Sequence, residues 1–129
     1  MRLLLDTHAL AWWFEDSPRL GEAARRAIGD PEAIVLVSTV SAFEMATKYH
    51  LGKWPEAGTL LADLSGYLDT QRFETLPVSL RHAQIAGTLP IPHRDPFDRL
   101  LIAQAQIEQA QLVSNEVLFD RFGVRRLWD

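Results

Sequence analysis

Short strand-like segments alternate along this chain with segments of helical periodicity. The strand-like segments lie at 2–5, 33–37, 73–76, 112–113 and 124–127. The helical segments lie at 9–14, 18–28, 41–52, 59–67, 79–87, 95–110 and 117–122. This alternation predicts an α/β fold of three layers, in which a mostly parallel central sheet of four to five strands is flanked by helices.

Residue types at three helix starts support this assignment. Ser17-Pro18 predicts an N-cap followed by a first-turn proline, and Asp95-Pro96 predicts the same arrangement for the long helix near the end of the chain. The segment from Ser41 to Glu44 has the spacing of a capping box. Each pattern satisfies backbone N–H groups that would otherwise lack a partner at the first turn.

The composition predicts one folded domain over residues 1–129. Hydrophobic residues make up 47% of the chain and charged residues 23%, which is too apolar for a disordered protein. The absence of cysteine excludes disulfides, thiolate metal sites and cysteine nucleophiles. No apolar stretch is long enough for a signal peptide or a membrane helix, so we expect a cytoplasmic protein without a membrane partner.

Four acidic residues occupy corresponding places in the predicted fold. Asp6 follows the first strand, Glu44 lies one turn into the helix after the second, Asp98 lies in the first turn of the long helix, and Glu116 closely follows the fourth strand. Because the carboxyl ends of parallel strands share one edge of a sheet, these side chains could meet there. Ionised carboxylates about 5 Å apart would repel by roughly 3 kcal/mol per pair, so such a cluster needs a cation.

The chemistry of this acid set points to metal-assisted hydrolysis. Oxygen ligands without histidine or cysteine favour Mg²⁺, with Mn²⁺ as a substitute. Such an ion can activate water, position a phosphate and stabilise a leaving oxygen, as phosphodiester hydrolysis requires. The chain has neither a nucleophile elbow nor a phosphate-binding glycine-rich loop, so water is the expected nucleophile.

A simpler interpretation remains open for most of these acids. Glu44, Asp95, Asp98 and Glu116 could each do no more than stabilise a helix N-terminus. Asp6 is harder to explain in this way, because a carboxylate beside a buried strand is unfavourable unless it is paired or ligated. The net charge of −4 also disfavours a nucleic-acid partner. The alternative is therefore a non-catalytic binding module of the same fold, which acts through protein or RNA contacts.

Four motifs surround the acids from one end of the chain to the other. They are residues 4–10 (LLDTHAL) followed by Trp12-Trp13, residues 37–44 with Lys48, residues 93–105 (HRDPFDRLLIAQA), and residues 112–114 with Phe119 and 122–124. Together they resemble the PIN-domain family, in particular the VapC-type toxins of bacterial toxin-antitoxin pairs. The resemblance implies a Mg²⁺-dependent endoribonuclease that forms a homodimer and is inhibited by a cognate antitoxin.

The resemblance also assigns roles to individual residues. It implies that Asp6, Glu44 and Asp98 bind the metal, that Asp95 is an accessory acid, and that Glu116 fills a fourth acidic position. The sequence departs from the family there, because many members have Asp where Glu116 stands and Thr where this chain has Ser114. Further candidates fall into two sets: Thr7, Ser114 and Asn115 as support for a ligand or water, and Lys48, Arg94 and Arg99 as RNA phosphate contacts.

Three groups of side chains have other expected roles. Lys48 lies four residues after Glu44, so an ion pair with that acid is the alternative to a phosphate contact. Trp12 and Trp13 lie in an apolar stretch and are expected to pack in the core or at a dimer contact. The four histidines have no ligand spacing, and we assign them no metal.

Overall fold

The computed structural model describes residues 1–129 and contains one five-stranded sheet in which every strand pairs in parallel. The strands are β1 (Arg2–Leu5), β2 (Ile34–Ser38), β3 (Glu74–Leu76), β4 (Gln111–Val113) and β5 (Arg126–Leu127). Their order across the sheet is β3-β2-β1-β4-β5. The predicted α/β fold with a parallel central sheet is confirmed.

Seven α-helices and two short 3₁₀ turns connect the strands. The helices are α1 (Thr7–Phe14), α2 (Glu22–Gly29), α3 (Thr39–His50), α4 (Gly58–Ala62), α5 (Leu64–Thr70), α6 (Leu80–Thr88) and α7 (Pro96–Ile107). The 3₁₀ turns are Pro55–Ala57 and Val117–Arg121. None of the helices combines the length and the hydropathy that crossing a bilayer requires.

The sheet separates two hydrophobic clusters, as the three-layer prediction requires. Leu3 and Leu5 belong to the larger cluster, whereas Leu4 between them belongs to the smaller one. Successive side chains of a strand point to opposite faces, and all three leucines are completely buried. The larger cluster includes residues of α1, α2 and α3, and α7 contributes Leu101 and Ile102 to the smaller. β1 is therefore a central strand covered on both sides.

The strand order places a topological switch point beside β1. β2 and β3 follow on one side of β1, and β4 and β5 lie on its other side. The strand order therefore reverses between β1 and β4, whose carboxyl ends carry Asp6 and Ser114. In open parallel sheets, ligands bind in the crevice at this point.

The predicted start of the second helix was wrong. α2 begins at Glu22 after Gly21, and Ser17-Pro18 lies in the preceding turn. The Ser17 backbone carbonyl accepts hydrogen bonds from Leu20 N–H and from the Arg25 guanidinium, which hold this turn outside the helix. A tertiary contact thus replaces the expected cap.

The predicted capping box of α3 was also wrong, and this affects the interpretation of Glu44. Ser38 is the N-cap, and its hydroxyl accepts from Val40 N–H at 3.0 Å. Ser41 and Glu44 lie inside the helix instead. Because Glu44 is beyond the first turn, capping does not explain its carboxylate.

Two other helical segments differ from their expected bounds. The segment 59–67 is divided between α4 and α5 at Asp63, whose carboxylate accepts from Gly66 N–H and caps α5. The long helix α7 ends at Ile107, and Gln109 just beyond it adopts a left-handed φ of 53°. That conformation is incompatible with a continuing right-handed helix.

Candidate active site

Asp6 lies at the carboxyl end of β1, where it caps α1. Its Oδ1 accepts from Ala9 N–H at 2.8 Å. Burial raises the pKa of the carboxyl group from 3.8 to about 6, against the lowering effect of hydrogen bonds with Ser114 and Ala9. The charges of Glu44 and Asp98 raise this pKa further. The fold thus brings all three carboxylates within electrostatic range.

Glu44 is held from two sides on α3. Its Oε1 accepts from the Thr7 hydroxyl at 2.6 Å, and its Oε2 lies 2.7 Å from Lys48 Nζ. Thr7 Oγ1 is also 3.2 Å from Ser41 Oγ, and both hydroxyls are buried. The Thr7 hydroxyl therefore orients the Glu44 carboxylate, and Lys48 forms the i,i+4 ion pair that was the alternative to a phosphate contact.

Asp98 lies in the first turn of α7, after the N-cap Asp95. Asp95 Oδ1 accepts from Phe97 N–H at 2.9 Å and from Asp98 N–H at 3.3 Å. The Asp98 carboxylate therefore does not cap the helix. Burial raises the Asp98 pKa; the His93 hydrogen bond lowers it, and the charges of Asp95 and Glu44 raise it. Asp95 therefore caps the start of α7 and also adds negative charge beside Asp98.

His93 is a site residue that the sequence interpretation missed. Its Nε2 is 2.7 Å from Asp98 Oδ2, and its ring packs against Phe122 at a centroid distance of 5.5 Å. The search for histidines with metal-ligand spacing could not identify it, because its partner is a carboxylate. The available signal was its position shortly before the Asp95-Pro96 cap, in the loop that enters α7.

The structure does not add Glu116 to this group. Glu116 is exposed and caps the second 3₁₀ turn, where its Oε1 accepts from Leu118 N–H at 3.1 Å. Its backbone N–H donates to Ser114 Oγ at 3.0 Å, so it helps to hold the serine beside Asp6. Asn115 is exposed between them.

Arg99 is engaged by backbone rather than available to a phosphate. Its guanidinium donates five hydrogen bonds of 2.8–3.4 Å to backbone carbonyls. The acceptors are Ala86, Gly87, Leu89, Ile91 and His93. An arginine has five N–H donors, so none remains for the expected RNA contact. Arg99 instead shapes the loop that carries His93, whereas Arg94 is exposed.

Replacing Arg99 by lysine should therefore destabilise the protein. Lysine keeps the charge but has three donors and no planar fork, so we expect Arg99→Lys to lower the free energy of unfolding by about 2 kcal/mol. Urea unfolding of the two proteins measures the difference. Arg94→Lys is the matched control, and its effect should stay below about 0.5 kcal/mol. Equal midpoints for Arg99→Lys and the wild type would contradict the assigned role.

The donor atoms suit a divalent cation, although the present side-chain arrangement does not itself form a metal cage. No group of three or more Asp, Glu or His side chains is close enough to hold one ion. Glu44 and Asp98 each direct an oxygen to a nearby partner, Lys48 or His93. Burial raises the pKa of Asp6 most and the charges of these two carboxylates raise it further, and a cation would neutralise this negative charge. Carboxylate oxygens are the ligands that Mg²⁺ and Mn²⁺ prefer.

Comparison with known families identifies the fold. The sequence pattern of the PIN domain matches residues 3–124. The chain therefore belongs to the PIN domain family. A search of curated protein sequences gives no match.

Several solved structures share this fold over nearly their whole length. VapBC2 from Rickettsia felis, bound to a DNA fragment from its promoter, has a TM-score of 0.71 at 19% identity and covers 100% of both chains. FitAcB from Neisseria gonorrhoeae has a TM-score of 0.67 at 18% identity, with 97% and 96% covered. A toxin-antitoxin complex from Klebsiella pneumoniae has a TM-score of 0.58 at 17% identity, with 89% and 87% covered. At these identities the likeness shows a common fold.

Proposed function

We propose that this chain is a metal-dependent endoribonuclease and the toxin component of a type II toxin-antitoxin pair. PIN-domain toxins are generally nucleases that use divalent metals, which supports the general class. The observation that carries the proposal is the position of Asp6 at the switch point of the sheet, where burial raises its pKa and the charges of Glu44 and Asp98 raise it further. Capping does not account for Glu44, which is beyond the first turn, or for Asp98, because Asp95 caps α7 in its place. Asp6 does cap α1, through its Oδ1.

In this proposal Asp6, Glu44 and Asp98 hold Mg²⁺, for which Mn²⁺ substitutes. When bound, the ion lowers the pKa of a water and stabilises charge on the phosphate oxygens. The surrounding side chains orient the carboxylates: Thr7 donates to Glu44, Ser114 hydrogen-bonds to Asp6, and His93 holds Asp98. Glu116 and Asn115 are retained as candidates for a fourth position, with a backbone contact to Ser114 as the structural link.

The nuclease proposal is tested with purified protein and folded cellular RNA. We expect internal cleavage with MgCl₂ or MnCl₂, none with EDTA, and none of DNA with the same sequence. Sequencing RNA 5′ ends after brief expression in bacteria would then identify the substrate and the cleaved position. Cleavage that is equally fast in EDTA would contradict a metal-dependent mechanism.

We further propose that a cognate antitoxin binds this chain and that the chain forms a homodimer. Toxin-antitoxin complexes among the structures of the same fold support the first part. Exposed apolar side chains on and just beyond α3 support the second, since Phe43 is 63% and Leu51 58% exposed. Expression of the chain alone should arrest bacterial growth, and co-expression of its cognate antitoxin should restore growth. Light scattering measures the assembly.

A non-catalytic binding module is the second candidate. The observation that favours it is the absence of any three acidic or histidine side chains at metal-ligating distance. Calorimetry separates the two candidates, because the enzyme should bind Mg²⁺ or Mn²⁺ and the module should not. A flat titration together with tight RNA binding would favour the module.

A further inference from the structure

A polar groove adjoins the acidic cluster through Lys48. It has a volume of about 750 Å³, and its lining includes His8, Trp12, Arg19, Lys48, Lys53 and Trp54. Lys48 Nζ is 2.7 Å from Glu44 Oε2 and 5.9 Å from the centre of the Trp54 ring. One lysine side chain thus connects the proposed metal ligand to the groove. We call this feature the Trp54 groove.

Three aromatic rings form a continuous surface in the Trp54 groove. The His8 ring stacks on Trp54 with a centroid distance of 4.9 Å and an interplanar angle of 23°, and it lies 5.3 Å from the Trp12 ring. His8 is exposed, and both tryptophans are half-buried. Trp13 has a different place, because it packs against Phe73 and its Nε1–H donates to Gln71. The two tryptophans, which were expected to share a packing role, therefore have different environments.

The charges of the groove are mixed. Arg19 and Lys53 are exposed and form no salt bridge, and the Arg19 guanidinium lies 5.9 Å from the centre of the Trp12 ring. Glu15 and Glu56 also line the groove and offset these two cations. A ligand therefore gains little from net charge here and more from contact with the rings.

Flat rings beside separate cations suit an unpaired nucleotide. Bases stack on aromatic side chains whatever their identity, and arginine or lysine contacts hold the phosphates between them. A base in a duplex has no free face for this contact, so the ligand must be single-stranded at this point. Stacking also provides affinity to a protein with a net charge of −4.

We propose that the Trp54 groove binds an unpaired base of the RNA next to the cleaved bond, stacked on the Trp54–His8 pair, with Arg19 and Lys53 contacting the adjacent phosphates. The inference rests on the proposed ribonuclease function and adds a requirement for a single-stranded segment. Trp54 and His8 are positioning residues in this scheme, because they contact a base of the substrate and not the reacting phosphate.

Binding is measured by fluorescence anisotropy in an Asp98→Asn background, so that the probe is not cleaved. The probe is a labelled oligoadenylate of about eight nucleotides, compared with the same chain lacking its central bases. Trp54→Ala should weaken binding of the oligoadenylate about ten-fold or more and leave binding of the abasic chain unchanged. Trp54→Phe should restore most of the affinity. Trp13→Phe is the matched control outside the groove and should bind as the background protein does.

The phosphate contacts have a separate readout. Arg19→Ala and Lys53→Ala should each reduce the slope of log K against log salt by about 0.7, which is the value for one contact to a single strand. Both residues are exposed, so these variants keep the test valid if Trp54→Ala fails to fold. Unchanged slopes for both variants would overturn the phosphate contacts.

Three results would overturn the groove proposal. They are equal affinity of folded Trp54→Ala and background protein for the oligoadenylate, equal loss with the abasic chain, and Trp54-dependent binding of a polyglutamate peptide without any for RNA. The last result would identify an acidic protein partner as the occupant. Cleavage in the native-sequence protein is assayed separately, so base-dependent binding without Mg²⁺-dependent cleavage would reject the ribonuclease and keep the groove. Mg²⁺-dependent cleavage without base-dependent binding would reject the groove and keep the ribonuclease.

Discussion

Asp98→Asn should lower the rate of RNA cleavage at least about 10³-fold, and Asp6→Asn should do the same. Each substitution replaces a charged carboxylate by a neutral amide of similar shape, so the site loses affinity for the cation and stabilisation of the developing charge. Initial cleavage rates under saturating MgCl₂ measure the effect, and calorimetry of Mg²⁺ binding shows whether the loss arises at the metal. Growth arrest by expressed Asp98→Asn should disappear in parallel.

The control for Asp98→Asn lies on the same helix. Asparagine is as good an N-cap as aspartate, so Asp95→Asn should preserve the start of α7 and lower the rate less than about ten-fold. Glu116→Gln tests the fourth position, where capping of Leu118 N–H predicts a similarly small effect. Wild-type rates for both Asp6→Asn and Asp98→Asn would contradict the proposed site.

Without divalent ions, the stabilisation that Asp6 contributes to the free energy of unfolding should fall by about 2 kcal/mol as the pH rises from about 4 to 7. The folded-state pKa of Asp6 is about 6, above the unfolded value of 3.8. The folded protein therefore holds a proton that the unfolded chain releases. This contribution is fully present below the unfolded pKa and is lost as the pH rises through the folded pKa. The pKa of Asp98, which burial also raises, acts in the same direction.

Urea unfolding in EDTA at a series of pH values measures this dependence. Asp6→Asn is the reference, because the difference between the two proteins isolates one carboxyl group from all others. Added Mg²⁺ should stabilise the wild type most above about pH 6, where the ion no longer competes with protons. Parallel pH curves for the wild type and Asp6→Asn would show that Asp6 is not perturbed.

Part of the site could be predicted because it depends on neighbours in the sequence. Asp95 and Pro96 determine how α7 begins, and this places Asp98 in the first turn. Asp6 follows three completely buried leucines, so its position at a strand end was predictable as well. Glu44 was expected one turn into its helix, with capping as the alternative to a metal role, but the expected capping box lies inside α3.

The remaining features depend on which of several possible partners each side chain takes in the folded protein, and motif matching does not decide this. Ser17 and Ser41 match cap motifs equally well, but Arg25 binds the Ser17 carbonyl and Ser38 caps α3 instead. Arg99 was expected to contact RNA phosphate, but in the fold its guanidinium donates to five backbone carbonyls. His93 became a site residue through its hydrogen bond to Asp98.

The amino-acid sequence by itself determined the layered parallel α/β fold and the acids at its strand ends and helix starts, because hydrophobic periodicity and capping act over a few residues. Only the tertiary structure decided that the order β3-β2-β1-β4-β5 places Asp6 within electrostatic range of Glu44 and Asp98. It also decided which polar partner each side chain takes and that Trp54 lies beside Lys48. These outcomes depend on strand order and packing between distant segments, where free energy rather than sequence proximity selects the contacts.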